Sequence, residues 1–352
     1  MKIGLITFHD TNNFGSYLQT YGLYKTIVDL GYKCDVIDYQ CESIIKRELP
    51  KPFKFTLNPK KMLIQALLNP KYKLKYKNLL SFLHSNMTLS ERVNRANVNT
   101  LSDKYDKFIV GSDIVWGLDI VENDTAYFLD FINDSGKKFA FSSSVGTPWN
   151  VEQKELVKPH LETFTKIAVR ENESADWVEE LIGNRPDVVC DPTMLVESSK
   201  WREYSSSTYA GKNYVLVYFP TDASLKAAKQ YAEAHGIPCY VINNSLPLNG
   251  VTNVSPITLD DFLSLFINAT FVCTGSYHGM LFSIYFNREF AYFNRAHKSR
   301  MNTIAHRLGV LDREGTENNI MTMRPIEYSK VNKAVEEYRI FSTKVLKEML
   351  EK

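Results

Sequence analysis

The chain opens with a short apolar run, "KIGLITF". A helix-length stretch, "GSYLQTYGLYKTIVDLGY", comes next, then a second apolar run, "KCDVIDY". The middle stretch carries apolar residues at helical spacing and stops at Gly31, a good helix terminator. A strand, a helix and a strand in this order must form a parallel pair joined by a right-handed crossover. The loop after the first strand, "HDTNNFG", has a single glycine. It is not the G-x-G-x-x-G fingerprint, so a nicotinamide cofactor is disfavoured.

The same alternation recurs along the chain. "YDKFIVGSD" and "KKFAFSSSVG" read as strands that run into small polar turns. "VEQKELVKPHLETFTKIAVRENES" reads as helix, strand and charged turn, "DWVEELIG" as a helix and "DVVCDP" as a strand. "TMLVESSKWREYSSSTYAGKN" is Ser-rich and reads as an interdomain connection. A second series follows. "YVLVYF", "IPCYVIN", "TFVCT" and "EFAYFN" are strands. "ASLKAAKQYAEAHG", "TLDDFLSLFINA", "GMLFSIYFN" and "RMNTIAHRLGV" are helices. Thr258 is a plausible N-cap, with Asp261 in a capping-box position. The last segment, "SKVNKAVEEYRIFSTKVLKEMLEK", is a long amphipathic helix.

The predicted fold class is therefore α/β, with two doubly wound Rossmann-like domains facing a cleft, a helical insertion and a C-terminal helix. The first domain spans 1–204, the second 205–322, and a helix over 323–352 packs back on the first. A length of 352 residues suits two domains of ordinary size. In such sheets ligands sit beyond the carboxyl ends of the strands. There the turns "HDTNNFG", "GSD", "SSSVG", "VRENES" and "GSYHG" fall.

Composition narrows the partners. A net charge of +2 excludes a general nucleic-acid binder. No signal-peptide pattern or bilayer-length apolar run is present, so a cytoplasmic protein is expected. Five scattered cysteines show neither CxxC pairing nor metal-ligand spacing, so reduced thiols and no metal are expected. Basic charge is local: residues 41–100 hold twelve Lys or Arg against Glu42, Glu48 and Glu91. The plainer reading is a solvated helical cap whose apolar side packs on the domain. The sharper one is a surface that meets anionic lipid or a lipid-linked phosphate, at the inner face of the membrane.

The ordered set "NNFGSYLQTYGL", "VGSDIVWG", "FSSSVG", "VRENES", "CDPTML" and "GSYHGMLFSIYFNREFAYFNR" resembles the bacterial polysaccharide pyruvyl transferases. The resemblance covers roughly residues 1–40 and 103–312. It implies a glycosyltransferase-B-like (GT-B-like) fold without an organic cofactor. It also implies transfer of the enolpyruvyl carbons of phosphoenolpyruvate to a sugar, bridging two hydroxyls as a ketal with release of phosphate. The acceptor it implies is a capsule or exopolysaccharide saccharide, often still on its lipid carrier. An arginine at the "VRENES" position carries a donor-binding role in that family, which falls on Arg170.

The chemistry assigns further candidates. Phosphoenolpyruvate bears a phosphate and a carboxylate, and arginine can bond two oxygens of either at once. In "TGSYHG" a helix starting near Gly279 presents N–H groups and a positive dipole end to an anion. Ser276 adds a hydroxyl, and Gly275 and Gly279 leave room for close approach. His278 is the candidate general acid–base and, when protonated, a phosphate contact. Arg295, Lys298 and Arg300 are candidates to neutralise phosphate. On the acceptor side stand Asn13, Ser16, Gln19, Ser143, Ser144 and Thr147, polar groups suited to sugar hydroxyls, with His9 and Asp113 as a second base. Asp191 reads as a brace for the "CDPTML" turn. Two competing readings remain: a GT-B-type glycosyltransferase using a nucleotide-sugar, and a non-catalytic saccharide-binding subunit.

Overall fold

The computed structural model describes residues 1–51, 54–55, 58–243, 245–294 and 299–352. The chain divides into two compact units. One holds 1–49, 80–196 and 336–352, and the other holds 50–79 and 197–335. Strands are β1 (Lys2–Ile6), β2 (Lys33–Val36), β3 (Lys107–Val110), β4 (Lys138–Ser143), β5 (Lys166–Val169), β6 (Asp187–Val188), β7 (Val215–Tyr218), β8 (Cys239–Ile242), β9 (Thr252–Val254), β10 (Phe271–Thr274) and β11 (Glu289–Tyr292). Helices are α1 (Phe14–Asp29), α2 (Glu42–Glu48), α3 (Pro59–Asn86), α4 (Leu118–Val121), α5 (Val151–Leu161), α6 (Asn172–Ile182), α7 (Ser198–Glu203), α8 (Asp222–Ala234), α9 (Leu259–Asn268), α10 (Tyr277–Tyr285), α11 (Ser299–Arg307) and α12 (Tyr328–Glu351).

The first unit carries a parallel sheet of order β2-β1-β3-β4-β5-β6. The second carries one of order β11-β10-β7-β8-β9, also parallel. The central strands β3, β4, β7 and β10 are buried at every residue. Burial on both faces explains their near-continuous apolar sequences. Strand order reverses beside β1, between it and β3, and again between β10 and β7. Those are the switch points where ligands bind in doubly wound sheets.

Helix ends follow local chemistry. Asn13 caps α1 by accepting from the Gly15 N–H, and Gly31 leaves the helix at φ +91°. Thr258 caps α9 through the Asp261 N–H, but the Asp261 carboxylate turns to the Ser206 and Thr208 hydroxyls, so the capping box is only half made. The Ser-rich connection is anchored: α7 lies in it, and Trp201 packs edge-on against Phe282 with no exposure. The "ENES" turn is the start of α6, and β9 is a short, mostly polar strand that hydrophobic patterning does not show.

Residues 336–352 of α12 fold with the first unit. The Ser342 hydroxyl accepts from the Cys190 N–H. Lys107 donates to the carbonyls of Met349 and Leu350, where a cation suits a helix C-terminus. The basic insertion is divided: residues 50–79 belong to the second unit, where Asn78 donates to the Ile257 carbonyl. Among the described residues no helix is long and apolar enough to cross a membrane.

Close packing fixes Gly22. A Cβ on Gly22 of α1 would stand 2.4 Å from the Pro192 carbonyl oxygen, a backbone atom that cannot swing aside. Gly22→Ala should therefore lower stability by about 1–3 kcal/mol, read as a lower urea midpoint with an unchanged slope.

Candidate active site

In the second unit the switch point is closed by Thr274. Its hydroxyl donates to the Tyr218 carbonyl at 3.0 Å, and the same carbonyl accepts from the Gly275 N–H at 3.1 Å. The Thr274 hydroxyl also accepts from the Ser276 N–H at 3.0 Å. Ser276 is the N-cap of α10, accepting from the Gly279 N–H at 3.3 Å. The helix thus begins at Tyr277, two residues before Gly279. His278 is the second residue of its first turn, half-buried, with Tyr277 edge-on at 5.6 Å. N–H groups of a first turn have no partner within their own helix and carry the positive end of its dipole.

Gly279 serves packing. A Cβ there would lie 2.3 Å from the Thr274 hydroxyl oxygen and 2.9 Å from the Tyr218 ring. Its bare backbone lets α10 seat on the β7–β10 strand ends. No acidic residue occurs between Asp261 and Glu289. Arg300 stands half-buried in the first turn of α11. Arg295 and Lys298 lie outside the described residues.

In the first unit the ends of β1, β3, β4 and β5 gather most of the other candidates. Ser16 donates to Asp113 at 3.0 Å. The Gln19 amide donates to the Thr7 hydroxyl, and its oxygen accepts from the Ser112 N–H. The Thr7 hydroxyl in turn donates to the Ser112 carbonyl. Asp113 takes a left-handed φ of 75°, which turns its side chain out of the strand line. The Ser144 N–H donates to the Asp113 carbonyl, and the Arg170 N–H to that of Ser143. The Ser143 hydroxyl is turned inward to the Val110 carbonyl, and that of Thr147 faces Asp119. Asn13 is occupied as the α1 cap.

Arg170 is buried. Its guanidinium donates to Asp191 at 3.0 Å and faces Glu171 at 3.7 Å. Glu171 accepts from the hydroxyls of Ser144 and Ser174. The other oxygen of Asp191 braces the following turn through the backbone N–H and hydroxyl of Thr193. Arg170 therefore joins the β5 end to the β6 side as a paired, desolvated cation.

His9 turns away to the end of β2. Its ring nitrogens face Asp38 at 3.2 Å and the Thr7 carbonyl at 3.3 Å. The adjoining cavity is about 10 Å³, room for no more than a water. Burial alone raises the Asp38 carboxyl, but hydrogen bonds and charge from His9 and Arg92 outweigh it and bring the carboxyl down to about 2. Glu171 is a pairing partner that adjacency to Arg170 suggests, while Asp38, Thr7 and Ser112 carry no motif of their own in the sequence. Their one signal is a polar residue just past a buried strand.

Two outcomes follow from these pairs. Asp191→Ala leaves Arg170 a buried cation short of one partner and should cost about 3–5 kcal/mol, measured by urea unfolding at neutral pH. Asp38 is depressed from an ordinary carboxyl near 3.9, so its stabilisation is full above about pH 4 and fades as pH falls toward about 2. Asp38→Asn should accordingly be less stable than the parent at pH 6, with the gap narrowing by pH 2.5 in parallel denaturant titrations.

Several solved structures share the fold. UDP-GlcNAc 2-epimerase from Neisseria meningitidis bound to UDP-GlcNAc has a TM-score of 0.54 at 11% identity, covering 99% of each chain. UDP-N-acetylglucosamine 2-epimerase from Rickettsia bellii has 0.56 at 9%, covering 100% of this chain and 96% of that one. The N-terminal domain of Candida albicans trehalose-6-phosphate phosphatase has 0.52 at 9%, covering 99% and 96%. At these identities the likeness concerns fold alone, and it bears out the GT-B-like α/β class with two domains. No curated protein sequence matches the chain. The model of the family described as polysaccharide pyruvyl transferase matches residues 13–297, most of the chain. With that match, the chain belongs to the polysaccharide pyruvyl transferase family.

Proposed function

We propose that this protein transfers the enolpyruvyl carbons of phosphoenolpyruvate to a saccharide of a cell-surface polysaccharide or its precursor, as a ketal. The observation that carries the reading is the position of His278, in the first turn of α10 at the β7–β10 switch point, on a stretch without acidic residues.

Three proton movements balance the reaction. Carbon 3 of the enol gains a proton and becomes the methyl group. Two acceptor hydroxyls lose theirs as their oxygens bond to carbon 2. The carbon 2–oxygen bond to phosphate breaks, and phosphate leaves with the second proton. His278 is the group suited to move these protons near neutral pH. The first-turn N–H groups and the Ser276 hydroxyl would hold the phosphate, with Arg295, Lys298 and Arg300 as further cations on the donor side. On the acceptor side, the half-buried Asp113, held by Ser16, offers hydrogen bonds to sugar hydroxyls, while Gln19 is buried and engaged with Thr7 and Ser112. Arg170 would act by position, through its buried pairs with Asp191 and Glu171, the latter of which accepts from the Ser144 hydroxyl. No organic cofactor or metal enters this chemistry.

Incubation with phosphoenolpyruvate and a panel of saccharide acceptors should release phosphate and add one carboxyethylidene group to the acceptor by mass. Binding of a nucleotide-sugar with no consumption of phosphoenolpyruvate would favour a glycosyltransferase instead. His278→Ala should lower turnover by about 10²–10⁴-fold with an unchanged circular dichroism spectrum. Near-normal turnover would remove His278 from proton transfer.

A further inference from the structure

The basic insertion has a feature that the transfer reaction does not use. From Leu49 to Ser90 the chain carries eight lysines and neither aspartate nor glutamate. On α3, Leu63, Leu67 and Leu74 are 60%, 58% and 45% exposed. At 3.6 residues per turn they fall within an arc of about 40°, one stripe along the helix. Lys60 and Lys71 flank the stripe on one side at about 60–80°, and Lys77 and Lys73 on the other at about 40–80°. Exposed leucines bordered by lysines on both sides suit neither water nor an ordinary protein core. They match an interface with apolar depth and negative charge at its surface.

A cavity of about 330 Å³ opens beside the stripe, within the second unit. Leu67, Lys71 and Lys75 of α3 form one wall, and β9 with the loops after β8 and β9, including Leu246, Asn253 and Ser255, forms the other. Leu67 and Leu246 at its rim are both exposed, Lys75 is buried, and no carboxylate is among its lining residues. Its walls are mostly apolar and its charges are cationic, the combination that accepts an anionic head with an apolar tail. The cavity lies on the carboxyl edge of the sheet that holds Thr274–Gly279, about 10–15 Å away across β7.

We propose that the leucine stripe of α3 docks the protein on an anionic membrane surface, with a lipid headgroup phosphate lodged at Lys71 and Lys75 in this cavity. The contact is peripheral: the leucines enter the headgroup boundary, the flanking lysines meet anionic lipid, and the second unit presents its carboxyl edge near the bilayer. It holds whichever donor the enzyme uses.

Flotation with phosphatidylcholine vesicles containing about one part in three phosphatidylglycerol tests it. The full-length protein should float with these vesicles, stay behind with pure phosphatidylcholine, and be released by salt. Leu63→Ser/Leu67→Ser and, separately, Lys73→Ser/Lys77→Ser should each lower partitioning roughly tenfold with unchanged thermal melts. The lysine pair is exposed, so that variant keeps the test decisive if the leucine pair unfolds the helix. No flotation, or flotation indifferent to both variants, overturns the proposal. A dimer in light scattering that Leu63→Ser/Leu67→Ser dissolves overturns it too, by making the stripe a face between copies.

Discussion

A parallel strand cannot turn back into its neighbour. It must leave the sheet, cross over, usually as a helix, and re-enter at the starting edge. Both sheets here are parallel throughout. All strand-to-helix turns of a unit therefore lie along one edge. The central strands are buried on both faces and have no place for polar side chains along their length. Polar groups are displaced to the strand ends, so one edge of each unit gathers nearly all the chemistry the chain owns.

The two edges use that arrangement differently. In the first unit the polar groups satisfy one another: Ser16 with Asp113, Gln19 with Thr7 and Ser112, Arg170 with Asp191 and Glu171. A network of this kind is stiff because each buried polar group left unpaired would be costly. In the second unit the closure is mostly backbone. Thr274 and the Tyr218 carbonyl knit two strand ends, and Gly279 lets the helix start close against them. His278 is delivered by that closure, one residue before the glycine that makes it possible.

The same logic explains what could be read from sequence. Strands buried on both faces announce themselves as apolar runs, and the crossover helices end at Gly31 and Gly236. Strand β9 hid because it has only three residues, two of them polar, and is incompletely buried. Helix α7 hid because Trp201 alone anchors it in a Ser-rich stretch. Gly279 looked like a turn residue beside a ligand, whereas the contact it avoids is with Thr274 and Tyr218. Side-chain pairing was least legible. Ser16 and Asp113 are 97 residues apart, and Arg170 and Asp191 are 21 apart on different strand ends. Neither pairing has a spacing signature, because sheet order, not sequence distance, brings the partners together.

Charge separates the candidate anion sites. Arg170 is already compensated by Asp191 and Glu171 in a buried setting. A phosphate arriving there would have to displace a carboxylate and leave it desolvated, and breaking a buried pair costs about 3–5 kcal/mol. The Thr274–Gly279 turn lies in a stretch of sequence without acidic residues, from Phe262 to Arg288, with Glu314 bridging to Tyr292 at the neighbouring strand end. An anion at the start of α10 would meet a positive dipole end. The burial and pairing of Arg170 suit it to holding the strand ends of the first unit in register.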